Sequence, residues 1–415
     1  MRLLIAGVNY TPEETGIAPY TTGLAEHLVR RGHQVTMITG VPSYPQWRVD
    51  PEYRRVLRAR ELRGGVDVRR IRNYVPRRQS TMRRGLYEMS FLFGGMSLLG
   101  LPKPDAVLGV VPSLSGGLLA RLAAKRLGCP YGLIFQDLTG PAASQSGVAT
   151  GRAAVLIGDA EAWIARGATA LGIIAEGFRP HLESLGVAPE RIHRVRNWLH
   201  VQEPREDRFT VRRRLDLPMH AVICLHAGNM GYKQGLMNVV ECARLAAEAD
   251  LRLLFVLMGD GNQRQELVDV ARRYRLRNLR FLPIQPAEQF SSVLAAADIL
   301  LVNQKASVTN MSLPGKLTSY FASGRPVVAA VSPESETARE LRDTGSGVLV
   351  APDQPGLLLE TIRKLEADPD RQELLGAAGS RYASNALRSA QALAELEALV
   401  HAAAGGRAAP LRQPT

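Results

Sequence analysis

The chain is short of cysteine, of aromatic residues and, over its first half, of negative charge, and each shortage removes a class of explanation. Its three cysteines, Cys129, Cys224 and Cys242, are scattered through apolar segments and match no metal-ligand spacing. They read as small buried side chains in a reducing compartment, not as a disulfide framework or a zinc module. Aromatic residues make up only 6% of the chain, and few of them lie among the arginines, which disfavours the stacking surface of a nucleic-acid binder. The apolar run that follows Met1 and Arg2, Leu3 to Val8, stops at the polar Asn9, too short for the core of a secretory signal; it reads as a first β-strand. The acid deficit is local. Residues 1–200 hold 26 Lys and Arg against 15 Asp and Glu, whereas the remainder holds 26 against 24. Much of the excess lies between Arg48 and Arg84, which points to an anionic membrane surface as a partner of the N-terminal half and not to nucleic acid.

What is present is the composition of a folded protein, 46% hydrophobic and 22% charged over 415 residues, a length that suggests two cores. Short β-branched runs alternate with amphipathic segments: Arg2–Val8, Ile17–Arg31, Gln34–Thr39, Val66–Arg72, Ala106–Val110, Gly116–Leu127, Tyr131–Phe135 and Ala170–Ile174. The alternation restarts after residue 200 with Val222–Ala227, Gly235–Ala247, Leu251–Leu257, Arg264–Tyr274, Leu279–Leu282, Ile299–Val302, Pro326–Ala330 and Gly347–Val350. Alternating strand and helix signals predict an α/β fold with two parallel sheets, each covered on both faces. The expected domains are 1–200 and 219–385, joined by a linker at 201–218 with a short basic helix candidate. A C-terminal helix over 386–404 is expected to pack back on the first domain, and 405–415 to form a frayed tail. Arg83 and Arg84 precede Leu86 to Leu101, an apolar segment interrupted by Glu88 and shorter than the roughly 20 residues of a membrane span. Two readings of it stand nearly level: a core helix, or an interfacial helix with arginines on lipid phosphates.

Several loops suit a phosphate. Asn9-Tyr10-Thr11-Pro12-Glu13-Glu14-Thr15-Gly16 runs from a strand into a helix, although one glycine is more often a plain turn. Gly228-Asn229-Met230-Gly231-Tyr232-Lys233 follows the first strand of the second half, and Gly259-Asp260-Gly261 follows another. Glycines permit close backbone approach, and a loop lysine supplies a point charge for a diphosphate. In Asn310-Met311-Ser312-Leu313-Pro314-Gly315-Lys316-Leu317-Thr318-Ser319, Pro314 suits a first helical turn that presents the Gly315 N–H and the Lys316 ammonium. No metal-ligand cluster is evident, so these lysines would stand in for a metal ion and no cofactor is expected.

The order of these segments resembles the retaining GT-B glycosyltransferases of family 4, the group 1 transferases, over nearly the whole chain. The similarity rests on Tyr10-Thr11-Pro12-Glu13, Thr15-Gly16-Ile17, Arg31-Gly32-His33-Gln34-Val35, Asn197-Trp198, Gly259-Asp260-Gly261 and Ala296-Ala297-Asp298. Gly-Asn-Met-Gly with Lys-Gln-Gly and Pro-x-Lys-Leu is similar to a branch acting with fucose-type or N-acetylfucosamine-type sugars in exopolysaccharide and O-antigen assembly. The resemblance implies two Rossmann-like, doubly wound domains facing a central cleft, and transfer of a sugar from a UDP- or GDP-linked donor to a polyprenyl-linked or glycan acceptor. It assigns catalytic roles to Lys233, Lys316 and Asp137, and donor contacts to Gly16, Gly228, Asn229, Gly259, Asp260, Gly261, Asn310, Gly315, Leu317 and Ser319. It also implies a cytoplasmic enzyme, peripheral on the inner face of a membrane.

The departures are specific. Two glutamates usual in the family, one for the donor sugar and one for the ribose, fall here at Met311 and Ser319. Ser319 can still bond a ribose hydroxyl, while sugar recognition would pass from Met311 to Asn310 or Thr309. The usual arginine of the first loop is Asn229, leaving Lys233 as its cation. Phe135-Gln136-Asp137-Leu138 stands where many members have His-Asp, so only Asp137 carries over. The rivals are a GT-B nucleotide-sugar epimerase and a catalytically silent binding scaffold, which a nucleotide-release assay separates from a transferase. A dehydrogenase is disfavoured, because Gly16 lacks the paired glycines of a dinucleotide loop.

Overall fold

A computed structural model describes residues 1–76, 80–140, 152–309 and 314–405. The chain divides into two compact units: one of Met1–Asn197 with Ser389 onward, the other chiefly Trp198–Asn310 and Pro314–Arg388.

In the first unit, β1 (Arg2–Ala6), β2 (Gln34–Gly40), β3 (Arg58–Arg63), β4 (Val66–Ile71), β5 (Ala106–Val111), β6 (Tyr131–Phe135), β7 (Ala170–Ile173) and β8 (Ile192–Arg194) make one sheet. Its order is β3-β4-β2-β1-β5-β6-β7-β8, parallel throughout except where β3 runs antiparallel to β4. Every residue of β5 and β6 is buried, which is why these strands read as unbroken apolar runs. The helices α1 (Ala18–Arg30), α2 (Thr81–Met96) and α3 (Leu114–Leu127) are among those that cover the sheet.

β3 and β8 do not appear in the sequence reading. β3, Arg-Ala-Arg-Glu-Leu-Arg, looks like a charge run, yet the Gly64-Gly65 pair behind it has φ of +54° and +79°, the backbone of a tight hairpin. That turn was the missed signal. The arginines around it are largely internal scaffolding. Arg60 donates to Asp67 at 2.7 Å, Arg63 to Glu61 at 2.6 Å and Arg72 to the Tyr53 and Arg54 carbonyls at 2.9 Å. Arg70 is fully buried and donates to Glu61 at 3.1 Å and to the Gly40 and Thr11 carbonyls.

The C-terminal helix Ser389–Ala403 lies on this first sheet. A Cβ on Gly132 would stand 2.7 Å from the Ala403 Cβ, and one on Gly172 2.6 Å from a Leu399 methyl. Only glycine admits the helix so close. Glu397 ties the helix to α1, 3.1 Å from His27 and 3.1 Å from Arg31. Although partial burial pushes its carboxyl up, the Arg31 and His27 bonds outweigh this and hold it below the usual carboxylate range. The clasp therefore contributes stability above the ordinary glutamate pKa and loses it as pH falls through the lowered one. Glu397→Gln should cost about 1 kcal/mol at neutral pH, and less as pH falls below the ordinary glutamate value. Denaturant melts at neutral pH and below that value measure this; an equal loss at both contradicts it.

In the second unit, β9 (Val222–Ala227), β10 (Leu253–Met258), β11 (Leu279–Leu282), β12 (Ile299–Asn303), β13 (Val327–Ala330) and β14 (Gly347–Val350) form an all-parallel sheet in the order β11-β10-β9-β12-β13-β14. Its core gathers Cys224 and Cys242 with Phe255, Leu257, Leu301 and Val328. Cys129 is only half-buried, because it falls just beyond α3 and not inside an element. The basic helix candidate within 201–218 is the helix Arg208–Arg214. Its Arg212 is buried and donates to Asp298 at 2.6 Å and to the Ala296 carbonyl at 3.1 Å. Asp298 also accepts the Ile223 N–H at 2.7 Å and bonds Arg208. Thus the Ala296-Ala297-Asp298 motif locks this helix to β9. Asp298→Ala strands a buried guanidinium and should cost about 3–5 kcal/mol of stability. Unfolding in urea tests this, and a loss under about 1 kcal/mol contradicts it.

Candidate functional site

In open parallel sheets ligands bind beyond the strand C-termini where the strand order reverses. In the second sheet that point lies at β9, between β10 and β12, and the loops after these strands are the ones singled out above. They zip to one another through the backbone. The Gly228 N–H donates to the Met258 carbonyl at 2.8 Å, the Met230 N–H to the Asp260 carbonyl at 2.8 Å, and the Gln263 N–H to the Met230 carbonyl at 3.0 Å. Gly259, at φ +141°, passes so near Gly228 that a Cβ would meet its carbonyl oxygen at 1.9 Å. A Cβ on Gly261 would stand 2.6 Å from the Asn229 Oδ1. The Asp260 carboxylate accepts the Gly261 N–H at 2.8 Å. The glycines are therefore fixed by close backbone approach.

Lys316 opens the helix Lys316–Ala322. Tyr320, one turn on and so on the same helix face, is buried and accepts the Ala227 N–H at 2.8 Å. This pins Lys316 over the end of β9: a Cβ on Gly228 would stand 3.5 Å from the lysine Cε and Nζ. The ammonium lies 3.2 Å from Nε2 of His226, and desolvation pushes it down to about 7. Lys316, Gly228, Asn229, Gly259, Asp260 and Gly261 are thus one neighbourhood. Gly315 is exposed just before the helix. Leu317 and Ser319 are buried, and the Leu317 N–H is bonded to the Pro314 carbonyl at 3.0 Å. Asn310 and Met311 lie outside the described residues.

Lys233 sits in the turn Tyr232–Gln234, and its carbonyl accepts the Lys305 N–H at 3.0 Å. Asn303, at the end of β12, fixes this turn: its amide donates to the Gln234 and Gly235 carbonyls at 2.8 Å and accepts from Asn238 at 2.8 Å. The Lys305 ammonium lies 3.1 Å from the centre of the Tyr232 ring. His226, Asn303 and Lys305 were not read from the sequence. Each ends or follows an apolar strand, and position at a strand C-terminus was the available signal.

In the first unit the order reverses at β1, between β2 and β5. Gly16, at φ +68°, packs on Tyr44, whose ring would lie 2.9 Å from a Cβ there. Glu13 accepts the Ser43 and Tyr44 N–H groups at 2.7 and 2.9 Å and the Asn9 amide at 2.8 Å, which ties the loops after β1 and β2 together. Burial pushes the Tyr44 phenol up to about 12, with the Asp137 charge next among the causes, so Asp137 lies near enough to this corner for its charge to act on it. Gln136 and Asn197 exchange amide bonds at 3.1 and 2.9 Å, which fixes Asn197 beside the residue that follows β6. Arg84 stacks 5.3 Å from the Trp47 ring centre and 4.8 Å from that of Tyr87, and pairs with Glu88 at 3.1 Å. Glu88 in turn accepts from the Ser113 and Ser115 hydroxyls at 2.7 and 2.6 Å. Arg84 thus points into the domain. The face of α2 that is exposed is apolar: Met82, Leu86, Met89 and Phe93 recur at helical spacing, with Phe93 67% exposed.

Residues 15–198 match the glycosyl transferase 4-like domain and residues 207–382 match the glycosyl transferases group 1 family. The chain is 34% identical over 380 residues to the putative colanic acid biosynthesis glycosyl transferase WcaI of Escherichia coli K12, covering 88% of this chain and 92% of that protein. In fold it is similar to sucrose-phosphate synthase of Thermosynechococcus elongatus, at a TM-score of 0.73 and 17% identity over 97% of this chain and 98% of the other. It is similar also to HepE of Anabaena in complex with UDP-glucose, at a TM-score of 0.70 and 15% identity over 96% and 99%. Two α/β domains of the GT-B type, matched over residues 15–198 and 207–382 by these models and over 88% of the chain by this relative, make the chain a glycosyltransferase of the group 1 family.

Proposed function

We propose that the enzyme transfers a sugar, with retention of configuration, from a UDP- or GDP-linked donor to a lipid-linked or glycan acceptor in cell-surface polysaccharide assembly. The observation that carries this reading is the convergence of the Gly228, Gly259 and Gly261 loops on Lys316 at the strand C-termini of the second domain. Such a group of close-approach glycines and a desolvated cation suits the diphosphate of a departing nucleotide, whose growing charge is best met by groups already in place. Lys233 adds charge from the neighbouring turn. WcaI supports a place in polysaccharide assembly and the UDP-glucose complex of HepE a nucleotide-sugar donor. Asp137 and the Gly16 loop are assigned to the first domain's substrate side. Nothing in this chemistry calls for a metal ion. Thermal shift against UDP-, GDP- and dTDP-sugars identifies the donor base. The anomeric configuration of the product, read by NMR, then tests retention. Sugar released as a free epimer without any acceptor would favour the epimerase instead, and nucleotide binding without release a silent scaffold.

The same reading places the first domain on an anionic membrane. Among the described residues no helix is long and apolar enough to span one, so contact would be interfacial. Leu86, Met89 and Phe93 of α2 are the apolar contact, with Leu156 and Trp163 of the helix Arg152–Gly167, which packs on α3 as α2 does. Arginines outside the internal pairs supply the attraction to lipid headgroups. Leu86→Ser with Phe93→Ser should weaken binding to phosphatidylglycerol vesicles more than about tenfold, since each side chain contributes roughly 1.5–3 kcal/mol on burial. Nucleotide affinity should not change. Equal vesicle binding by the double variant would remove α2 from the membrane.

A further inference from the structure

We propose that His226 is a positioning residue for the transfer: a neutral imidazole that holds the Lys316 ammonium over the Gly228 loop without cancelling its charge. This rests on the reading that these loops take a nucleoside diphosphate. His226 is the penultimate residue of β9, fully buried, and its Nε2 lies 3.2 Å from Nζ of Lys316. An ammonium has only donors, so Nε2 must accept. The ring proton is then on Nδ1, which makes no hydrogen bond of good geometry, although the backbone of Asn229 and Leu301 lies near enough to favour the protonated ring slightly.

The neighbours exclude the commoner arrangement, in which a carboxylate orients a lysine. Asp260, on the adjoining loop, is turned back onto the Gly261 N–H. The Tyr320 hydroxyl is engaged with Ala227. Lys233 and Lys305, from the turns after β9 and β12, are cations. Among the described residues no carboxylate forms an ion pair with Lys316, whose low pKa has desolvation as its only cause. The difference is functional. A carboxylate 3 Å away would neutralise the ammonium and compete with the incoming diphosphate, whereas a neutral acceptor fixes the position and leaves the full charge for the ligand. Burial, and then the Lys316 charge itself, hold His226 well below the ordinary histidine range, which favours the neutral ring at neutral pH. Helix and strand are thereby coupled at the point where charge is needed: Tyr320 fixes the helix, His226 fixes the end of the lysine.

The arrangement also makes diphosphate binding proton-coupled. The free lysine is partly deprotonated just above neutrality, and an anion at the loop draws the proton back. Removing the acceptor removes stabilisation of the ammonium, which lowers its pKa further. A neutral amide oxygen in the same place restores it.

The test is calorimetric titration of UDP and GDP into the full-length protein between pH 6 and 9, for the wild type, His226→Ala and His226→Gln. His226→Ala should weaken binding about tenfold at pH 7, the loss of one hydrogen bond to a charged group, and its alkaline fall in affinity should begin at lower pH. His226→Gln should stay within about threefold of the wild type, with an unmoved pH limb. A merely structural role would lower the melting temperature of both variants without moving that limb. An alanine variant with wild-type affinity and pH dependence overturns the proposal. A glutamine variant as impaired as alanine also overturns it. The wild type supplies a check that no substitution can spoil: 15N NMR of the imidazole at pH 6, where the lysine is an ammonium, should show an Nδ1–H, Nε2-acceptor tautomer, and the opposite tautomer or a charged ring at that pH refutes the proposal. Should the wild type bind none of UDP, GDP and dTDP, the diphosphate reading fails, and the tautomer and the Lys316 titration in the free protein still decide the pairing.

Discussion

Lys316→Ala should reduce kcat/KM for the nucleotide sugar by at least about 100-fold, the scale of losing one placed group that stabilises developing charge, while the second domain remains folded. The residue opens the helix Lys316–Ala322 but does not hold it down; Tyr320 does, through Ala227. Stability should move opposite to activity. Because desolvation lowers the folded-state pKa of Lys316 to about 7, the folded protein bears the cost of a buried charge below that pH. The cost is relieved as pH rises toward the ordinary lysine value, so stability gains from this group between about pH 7 and 10. Lys316→Ala removes the cost, and the variant should melt no lower than the wild type at pH 6. A variant that melts well below the wild type at pH 6 would make Lys316 structural. The same titration predicts that the wild type's kcat/KM falls as pH rises above about 7, because the free enzyme loses the ammonium.

Gly259→Ala should abolish nucleotide binding and cost about 3 kcal/mol or more. A methyl at this position would overlap the Gly228 carbonyl oxygen at 1.9 Å, on a backbone at φ +141°. Neither loop can yield without breaking the bonds from Gly228 to Met258 and from Met230 to Asp260. Gly324→Ala is the control: it too has a positive φ, +67°, but a Cβ there meets nothing within 4 Å, so it should cost only about 1 kcal/mol and leave binding intact. Urea unfolding and UDP titration of the two variants separate steric closure from backbone preference. Equal behaviour of the two would mean that the close approach does not shape the site.

The parallel sheets were legible because short apolar, β-branched runs alternate with amphipathic helices, whether a strand is wholly buried like Tyr131–Phe135 or only partly so like Leu279–Leu282. Tyr131–Phe135, Val222–Ala227, Leu279–Leu282 and Gly347–Val350 coincide with their strands to the residue. The antiparallel β3 was not legible, since its outward residues Arg58, Arg60 and Leu62 are exposed, none of its residues is fully buried, and its partner strand lies across a glycine pair. The arginine-rich stretch reads in the sequence as one surface, but Arg60, Arg63, Arg69, Arg70 and Arg72 are committed to Asp67, Glu61 and backbone carbonyls, and a charge run cannot reveal which of its members are paired. The glycine loops and Lys316 could be named from spacing. His226 and Asn303 could not, because a buried polar residue at a strand end has no sequence period; only the loops it holds show what it does.

The most direct test of the account is titration of a nucleoside diphosphate into the wild type and Lys316→Ala at pH 7. The account predicts saturable binding of UDP or GDP by the wild type, with affinity at least about 30-fold weaker in the variant, as expected when a desolvated cation is taken from an anion site. Unchanged affinity in Lys316→Ala would contradict it, because the second domain would then hold the diphosphate without the desolvated cation beside its Gly228 loop.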